Sequence, residues 1–376
     1  MPRAEAGRKG TVMEKARRIR LGILFGGKSG EHEVSVRSAA SVIEALDPSE
    51  YDVKVIGIAK TGRLATAAET GRMLPRAARD RVTPCDVTAG NGHHVQLLPG
   101  ATRTDDQPEI IFPLLHGPYG EDGTIQGLLE IAGLPYVGCG VLASAVGMDK
   151  DVMKRLFMQA GLPVLPFRVL RSGEIPGSVD RLAVDLEQDL GYPMFSKPAN
   201  LGSSVGVCKI HSRHELADAL AFSAQFDRKV VIEKGIDARE LECAILGNDS
   251  PQASIVGEII PAREYYDYQA KYADPNSRLE IPAPIPADKA GEVRRIAVRA
   301  FELIDGSGLA RVDFFMERGT GTIWLNEINT MPGFTPISMY AKLWAASGLG
   351  FPDLIRSLVR LGLERHAERT ALRVSG

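Results

Sequence analysis

Residues 309–329 read LARVDFFMERGTGTIWLNEIN, two apolar runs that each carry polar groups and are joined by a short glycine-containing link. The runs 309–316 and 323–328 have the length and the β-branched and aromatic content of strands, and residues 317–322 have the composition of a turn. Side chains alternate faces along a strand, so Glu327 and Asn329, two apart, point to the same side. Asp313 sits inside the first strand and Arg311, two before it, lies beside it. Three oxygen-bearing side chains gathered on adjacent strands suit magnesium, which takes few protein ligands and completes its octahedron with water and nucleotide phosphates. A guanidinium there can stabilise charge developing on a transferred phosphoryl group or a tetrahedral oxyanion. Ordinary surface acids at strand ends are the alternative that such short patterns leave open.

Outward from this pair, short apolar runs alternate with amphipathic stretches from Arg20 onward, the signature of α/β architecture with parallel strands. Strands are expected over 19–25, 53–59 and 109–115, with a helix over 33–46 stopped by Pro48 and an irregular insertion over 62–106. A second unit begins near Gly140, with helices over 143–161, 179–190 and 213–226 and strands over 167–170, 194–198 and 230–234. Strands over 240–246 and 255–260 open the third, followed by an aromatic and proline-dense loop over 264–286. A helix then places Val293, Ile296, Ala297, Ala300, Phe301 and Ile304 on one face.

A chain of 376 residues exceeds what one hydrophobic core usually serves, so two or three packed domains are expected. With 45 basic and 47 acidic residues there is no overall field to gather nucleic acid or an anionic membrane, and any phosphate chemistry has to come from local sites. Cys85, Cys139, Cys208 and Cys243 lie far apart without zinc-site spacing, which reads as free thiols in a reducing, cytoplasmic compartment. Residues 1–18 are basic without an apolar signal core and read as a disordered leader; Met13 is a second candidate start.

Three further segments carry chemistry. KPANLGSSVG (197–206) follows an apolar strand, and a glycine- and serine-rich loop can close backbone N–H groups over phosphates beside the fixed charge of Lys197. It is not a P-loop, since G-x-x-x-x-G-K-[ST] is absent; a ligand-free glycine connection is the alternative. Glu233, Lys234 and Glu240 flank the edge of a strand where a backbone could meet adenine and a carboxylate a ribose, or where a charged turn is merely solvated. In FGGKSGEHEVS (25–35) the dinucleotide pattern G-x-G-x-x-G is missing, which disfavours an NAD enzyme. There Glu31, His32 and Glu33 enter a helix, either holding the ammonium of a small zwitterion or serving as a capped helix start.

In order, GGKSGEHEVS, HGPYGEDGTIQG, MDK, KPANLGSSVG, EKGI, REYYDYQAKY, ARVDFF and NEINTMPGFTPIS resemble the D-alanine–D-alanine ligases of the ATP-grasp superfamily, over residues 19–365 apart from 62–106. The resemblance implies a multidomain α/β and α+β chain: a Rossmann-like parallel pre-ATP-grasp sheet (19–139), then a two-part ATP-grasp fold (140–234 and 235–376) with a mobile loop over 264–286. It implies ATP and two magnesium ions, with manganese able to substitute, held on Asp313, Glu327 and Asn329. Lys150 and Lys197 would meet ATP phosphates, Glu233, Lys234 and Ile236 the adenine, and Glu240 the ribose. Glu31 would take the ammonium of the first D-alanine and His116 would lie near its carboxylate, while Ser338 would anchor the second D-alanine. Arg311 and the N–H of Gly333 would stabilise the oxyanion, Tyr272 and Ser203 would lock the loop, and Lys271 would reach the transferred phosphate.

The implied product is D-alanyl-D-alanine for peptidoglycan precursors, made from D-alanine by a cytoplasmic homodimer with no nucleic-acid or membrane partner. D-Lactate or D-serine as second substrate is the alternative within the family; Tyr272 stands where the dipeptide-forming enzymes carry tyrosine. An ATP-grasp carboxylase finds no sign of a biotin partner, and a non-enzymatic nucleotide-binding regulator would be expected to lose some of Glu31, Arg311 or Glu327, all present.

Overall fold

The computed structural model describes residues 17–86, 107–175, 177, 179–260 and 278–373. Its first part runs β1 (Ile19–Gly26), α1 (His32–Ala45), β2 (Tyr51–Ile58), α2 (Ala67–Met73), α3 (Arg76–Arg79), β3 (Thr83–Pro84), β4 (Ile110–Leu114) and α4 (Thr124–Ile131). The four strands form one parallel sheet in the order β3-β2-β1-β4. Burial on both faces explains why β1 reads as a continuous apolar run. The β1 end opens into a loop through Gly26, whose φ is +97° and whose hypothetical Cβ would stand 2.1 Å from Ile58 O, so only glycine fits. Within the insertion expected to be irregular, residues 67–84 form α2, α3 and β3, short elements whose periods are too brief to register in a sequence window. Residues 87–106 lie outside the described part, as does residues 1–16 of the expected leader.

The second part comprises α5 (Val141–Met148), α6 (Lys150–Gln159), β5 (Phe167–Arg171), α7 (Val179–Asp189), β6 (Met194–Pro198), β7 (Cys208–Ile210), α8 (Arg213–Ser223) and β8 (Lys229–Lys234). The single helix expected over 143–161 is two, because Asp149 leaves helical geometry (φ −87°, ψ 99°) and its carboxylate accepts the N–H groups of Asp151 and Val152, both at 3.1 Å. The sheet, ordered β5-β8-β6-β7, is antiparallel throughout, unlike the parallel arrangement expected from helix–strand alternation. The two helical crossovers, β5-α7-β6 and β7-α8-β8, do each join strands of the same direction. They interleave, so every hydrogen-bonded neighbour runs the other way.

The third part is a five-stranded antiparallel sheet, β11-β10-β9-β12-β13, built from β9 (Ala238–Gly247), β10 (Gln252–Ile260), β11 (Arg278–Glu280), β12 (Gly308–Glu317) and β13 (Ile323–Asn329). Helix α9 (Ala287–Leu303) covers it with the expected face: Val293, Ala297, Ala300 and Phe301 are fully buried. Helices α10 (Met339–Ala346) and α11 (Phe351–Ala371) complete the chain. Phe334, Tyr340 and Leu358 share one apolar cluster with Leu21, Ile23 and Phe112 of the first sheet, so the first and third parts pack as one body. The antiparallel second sheet keeps its own cluster around Leu186, Leu216 and Ile232. A cleft between the second and third sheets follows.

Candidate active site

That cleft is a cavity of about 510 Å³. The second sheet and its connections present Lys150, Lys197, Glu233, Lys234 and Ile236 to it, and the third presents Glu240, Asp313 and Glu327. The hairpin edge at 233–236 is fixed from behind: Lys234 N–H donates to Pro166 O at 3.0 Å and Gly235 N–H to Pro193 O at 2.8 Å. Glu233 is 1% exposed. Burial pushes its carboxyl up, yet the ammonium groups of Lys154 and Lys197 outweigh that and hold it at about 2.

On β12 and β13 the antiparallel register sets Asp313 directly opposite Glu327, on one face. Asn329 Nδ2 donates to Asp313 Oδ2 at 3.0 Å, which brings the third oxygen-bearing side chain to the same point. Among the described residues there is no cluster of three or more His, Cys, Asp or Glu that could hold a metal; the Asn329 amide, through its bond to Asp313, adds a third side-chain oxygen beside the two carboxylates. Two carboxylates and one amide, all hard donors beside an open cavity, fit magnesium. Both acids are matched by cations. Arg311 donates to both oxygens of Asp313 at 2.7 Å and approaches Glu242 Oε2 at 2.9 Å, while Lys150 Nζ stands 3.3 Å from Glu327 Oε2. Burial opposes the charge of Arg311, but Asp313 and Glu242 raise its pKa well above its ordinary value.

The glycine loop after β6 joins this cavity to Glu31 of the first part. Lys150 Nζ donates to Leu201 O at 2.7 Å, and two residues on Ser203 Oγ donates to Glu31 Oε1 at 2.5 Å. Ser203 and Ser204 both adopt positive φ (52° and 57°), which turns the loop sharply at the point of contact. Opposite, Gly117 (φ +72°) leaves room for Glu31, since a Cβ there would come within 2.9 Å of Glu31 Oε2. Gly117 N–H donates to Glu121 Oε1 at 2.8 Å. Glu121 is buried; burial, then the charge of Glu31, push its carboxyl up to about 8.

His116 is 4% exposed and both its ring nitrogens are engaged. Nδ1 lies 3.0 Å from Met331 O, an acceptor, so Nδ1 carries the proton, and Nε2 meets Ser38 Oγ at 3.1 Å. Burial lowers its pKa and keeps it neutral. It thus ties the Met331–Phe334 turn to the first sheet. On that turn Gly333 faces Ser338, whose Oγ stands 2.8 Å from Thr335 Oγ1 at the start of α10. Tyr272 and Lys271, with residues 264–277 of the expected loop, lie outside the described residues.

Three residues escaped the sequence reading. Glu121 stands in plain view in HGPYGEDG, but only the fold reveals that it is enclosed beside Glu31. Glu242, on β9, is the cross-strand partner of Asp313 and backs Arg311. Lys154, one helical turn after Lys150, shares the face of Met153 and Phe157, a lysine on an apolar stripe that could have been noticed.

Comparison with known proteins gives a consistent result. Family profiles described as "D-ala D-ala ligase N-terminus" and "D-ala D-ala ligase C-terminus" match residues 20–139 and 156–360. A D-alanine–D-alanine ligase of Thermoanaerobacter sp. is 48% identical over 95% of this chain and 99% of its own, and one from Acetivibrio thermocellus is 47% identical over 92% and 96%. Among solved structures, the D-alanine-D-alanine ligase from Coxiella burnetii superposes with a TM-score of 0.78 at 34% identity, covering 95% of this chain and 97% of that one. The VanG D-Ala:D-Ser ligase from Enterococcus faecalis does so with a TM-score of 0.78 at 32% identity, covering 92% and 100%.

Proposed function

Because the chain belongs to the D-alanine–D-alanine ligase family, and so is a ligase of cell-wall construction, we propose that it uses ATP and magnesium to join two D-alanine molecules through an acyl phosphate. The observation that supports this most is the glycine loop that touches Glu327 through Lys150 on one side and Glu31 through Ser203 on the other. A nucleotide held in the cavity thereby ends next to Glu31, the residue proposed to hold the ammonium of a small amino acid.

A carboxylate resists amines because charge and resonance repel them. Transfer of the γ-phosphoryl group to a carboxylate oxygen of the first D-alanine removes both obstacles and releases ADP. The neutral amine of the second then attacks the carbonyl, the carbon–oxygen bond to phosphate breaks, and phosphate leaves together with the proton lost by the nitrogen. Glu31 holds the ammonium of the first substrate, and Ser203 orients that carboxylate. Lys150 and Lys197 face the phosphates, with adenine along 233–236 and ribose at Glu240. Magnesium, when held by Asp313, Glu327 and Asn329, neutralises phosphate charge and orients the transferred group. The Arg311 guanidinium and Gly333 N–H receive the tetrahedral oxyanion, and Ser338 takes the carboxylate of the second substrate. His116 fixes the turn that carries Gly333. The family resemblance supports a role for Tyr272 in holding the site closed and for Lys271 in meeting the transferred phosphate.

D-Alanine is assigned to the second position because the relatives at 47–48% identity carry the dipeptide name, whereas the D-Ala:D-Ser ligase stands at 32%. We place the enzyme in the cytoplasm on the strength of the ligase family to which the chain belongs; among the described residues no helix is long and apolar enough to cross a membrane. Ile131 and Leu142, 67% and 60% exposed on the adjoining α4 and α5, are in keeping with a homodimer. D-Alanine labelled with ¹⁸O in its carboxylate tests the acyl phosphate: one labelled oxygen should leave in the inorganic phosphate, and unlabelled phosphate rejects the mechanism.

A further inference from the structure

Lys154 has no exposed surface and is not among the side chains lining the nucleotide cavity. From α6 its Nζ reaches Glu233 Oε1 at 2.5 Å and donates to Asn326 O, on β13 next to Glu327, at 3.1 Å. The other oxygen of Glu233 accepts from Lys197 Nζ at 2.5 Å. One buried carboxylate is thus shared by two ammonium groups, one behind the wall and one in it. Enclosing a charged amine among Met153 and Phe157 is costly, and an apolar side chain of similar length would fill the space with less penalty. The charge count gives a reason for it. Glu233 and Lys197 alone would form a neutral pair and present little field to an anion. Burial lowers the pKa of Lys154 and the adjacent Glu233 carboxylate opposes that; with its ammonium charged the three carry a net charge of about +1, and Lys197 is the ammonium that lines the cavity.

We propose that Lys154 is a positioning residue for the nucleotide: it balances Glu233 from behind, so that the charge of Lys197 is left for a triphosphate, and through Asn326 it ties the adenine end of the cavity to the strand bearing Glu327. The inference rests on the ATP reading above. A lysine that served packing alone would affect every ligand of the cavity alike, whereas this role is selective for phosphate charge.

Calorimetric titration of the full chain with magnesium-ATP and, separately, with adenosine distinguishes the two. Lys154→Met should weaken ATP by about tenfold or more while adenosine stays within about twofold. Lys154→Arg, which keeps the charge, should hold ATP affinity to within about threefold of the wild type. Equal losses for ATP and adenosine, or an arginine variant as weak toward ATP as the methionine one, overturn the proposal. Should Lys154→Met fail to fold, Lys154→Gln is read by the same criterion. Wild-type protein that binds no ATP rejects the nucleotide reading itself, and this inference with it; normal wild-type binding without the selective loss rejects the inference alone.

Discussion

Replacing Glu121 by glutamine should change how the stability of the protein depends on pH. Glu121 is enclosed beside Glu31, and its carboxyl is raised from an ordinary 4.5 to about 8, by burial first and by Glu31 second. Between those values the folded protein keeps a proton that the unfolded chain has lost, so stability falls as pH rises through the window. Below 4.5 both states hold the proton, and above 8 neither does, so the penalty is absent at the acid end and complete at the alkaline end. Each pH unit is worth about 1.4 kcal/mol, so the window totals at most about 5 kcal/mol. Glutamine retains an oxygen for the Gly117 N–H and has no proton to lose. The assay is the urea midpoint of wild type and Glu121→Gln from pH 5 to 9. Their difference cancels the remaining groups, His116 included, whose lowered pKa acts oppositely by removing stability as the solution is acidified. The variant should gain on the wild type steadily up to pH 8 and level off beyond it. Parallel profiles, or a variant that loses ground as pH rises, refute the reasoning.

Glu327→Ala removes the side chain that faces both Asp313 and Lys150, and should abolish phosphate release with D-alanine while circular dichroism stays unchanged; wild-type turnover would reject its metal role. Arg311→Met strands the carboxylates of Asp313 and Glu242, at a cost of about 3–5 kcal/mol in stability, and should lower kcat by about 10²–10³; a loss under about threefold contradicts the oxyanion assignment. Tyr272→Phe should divert the acyl phosphate to hydrolysis or to other acceptors, and an unaltered product profile counts against the tyrosine as a loop lock.

The elements that set the site were legible because their signals are local. Alternation along 323–329 correctly put Glu327 and Asn329 on one side, and apolar runs located β1, β6 and β12 to within a residue or two. What stayed hidden depends on pairing between distant segments. Helix–strand alternation reported that β5 and β6 run alike, but nothing in either reveals that β8 inserts between them. Asp149 broke a helix whose apolar pattern continues through it, because a cap is decided by one carboxylate against two N–H groups. Likewise, Glu121 and Glu242 are ordinary as letters and gain meaning only from partners 90 and 69 residues away in Glu31 and Arg311.

The most direct test is to incubate the purified protein with ATP, magnesium and D-alanine and to analyse the products by mass. D-Alanyl-D-alanine and ADP should form in equal amounts, and omission of any one component should stop both. ADP without dipeptide, or dipeptide without a need for ATP, would contradict the account.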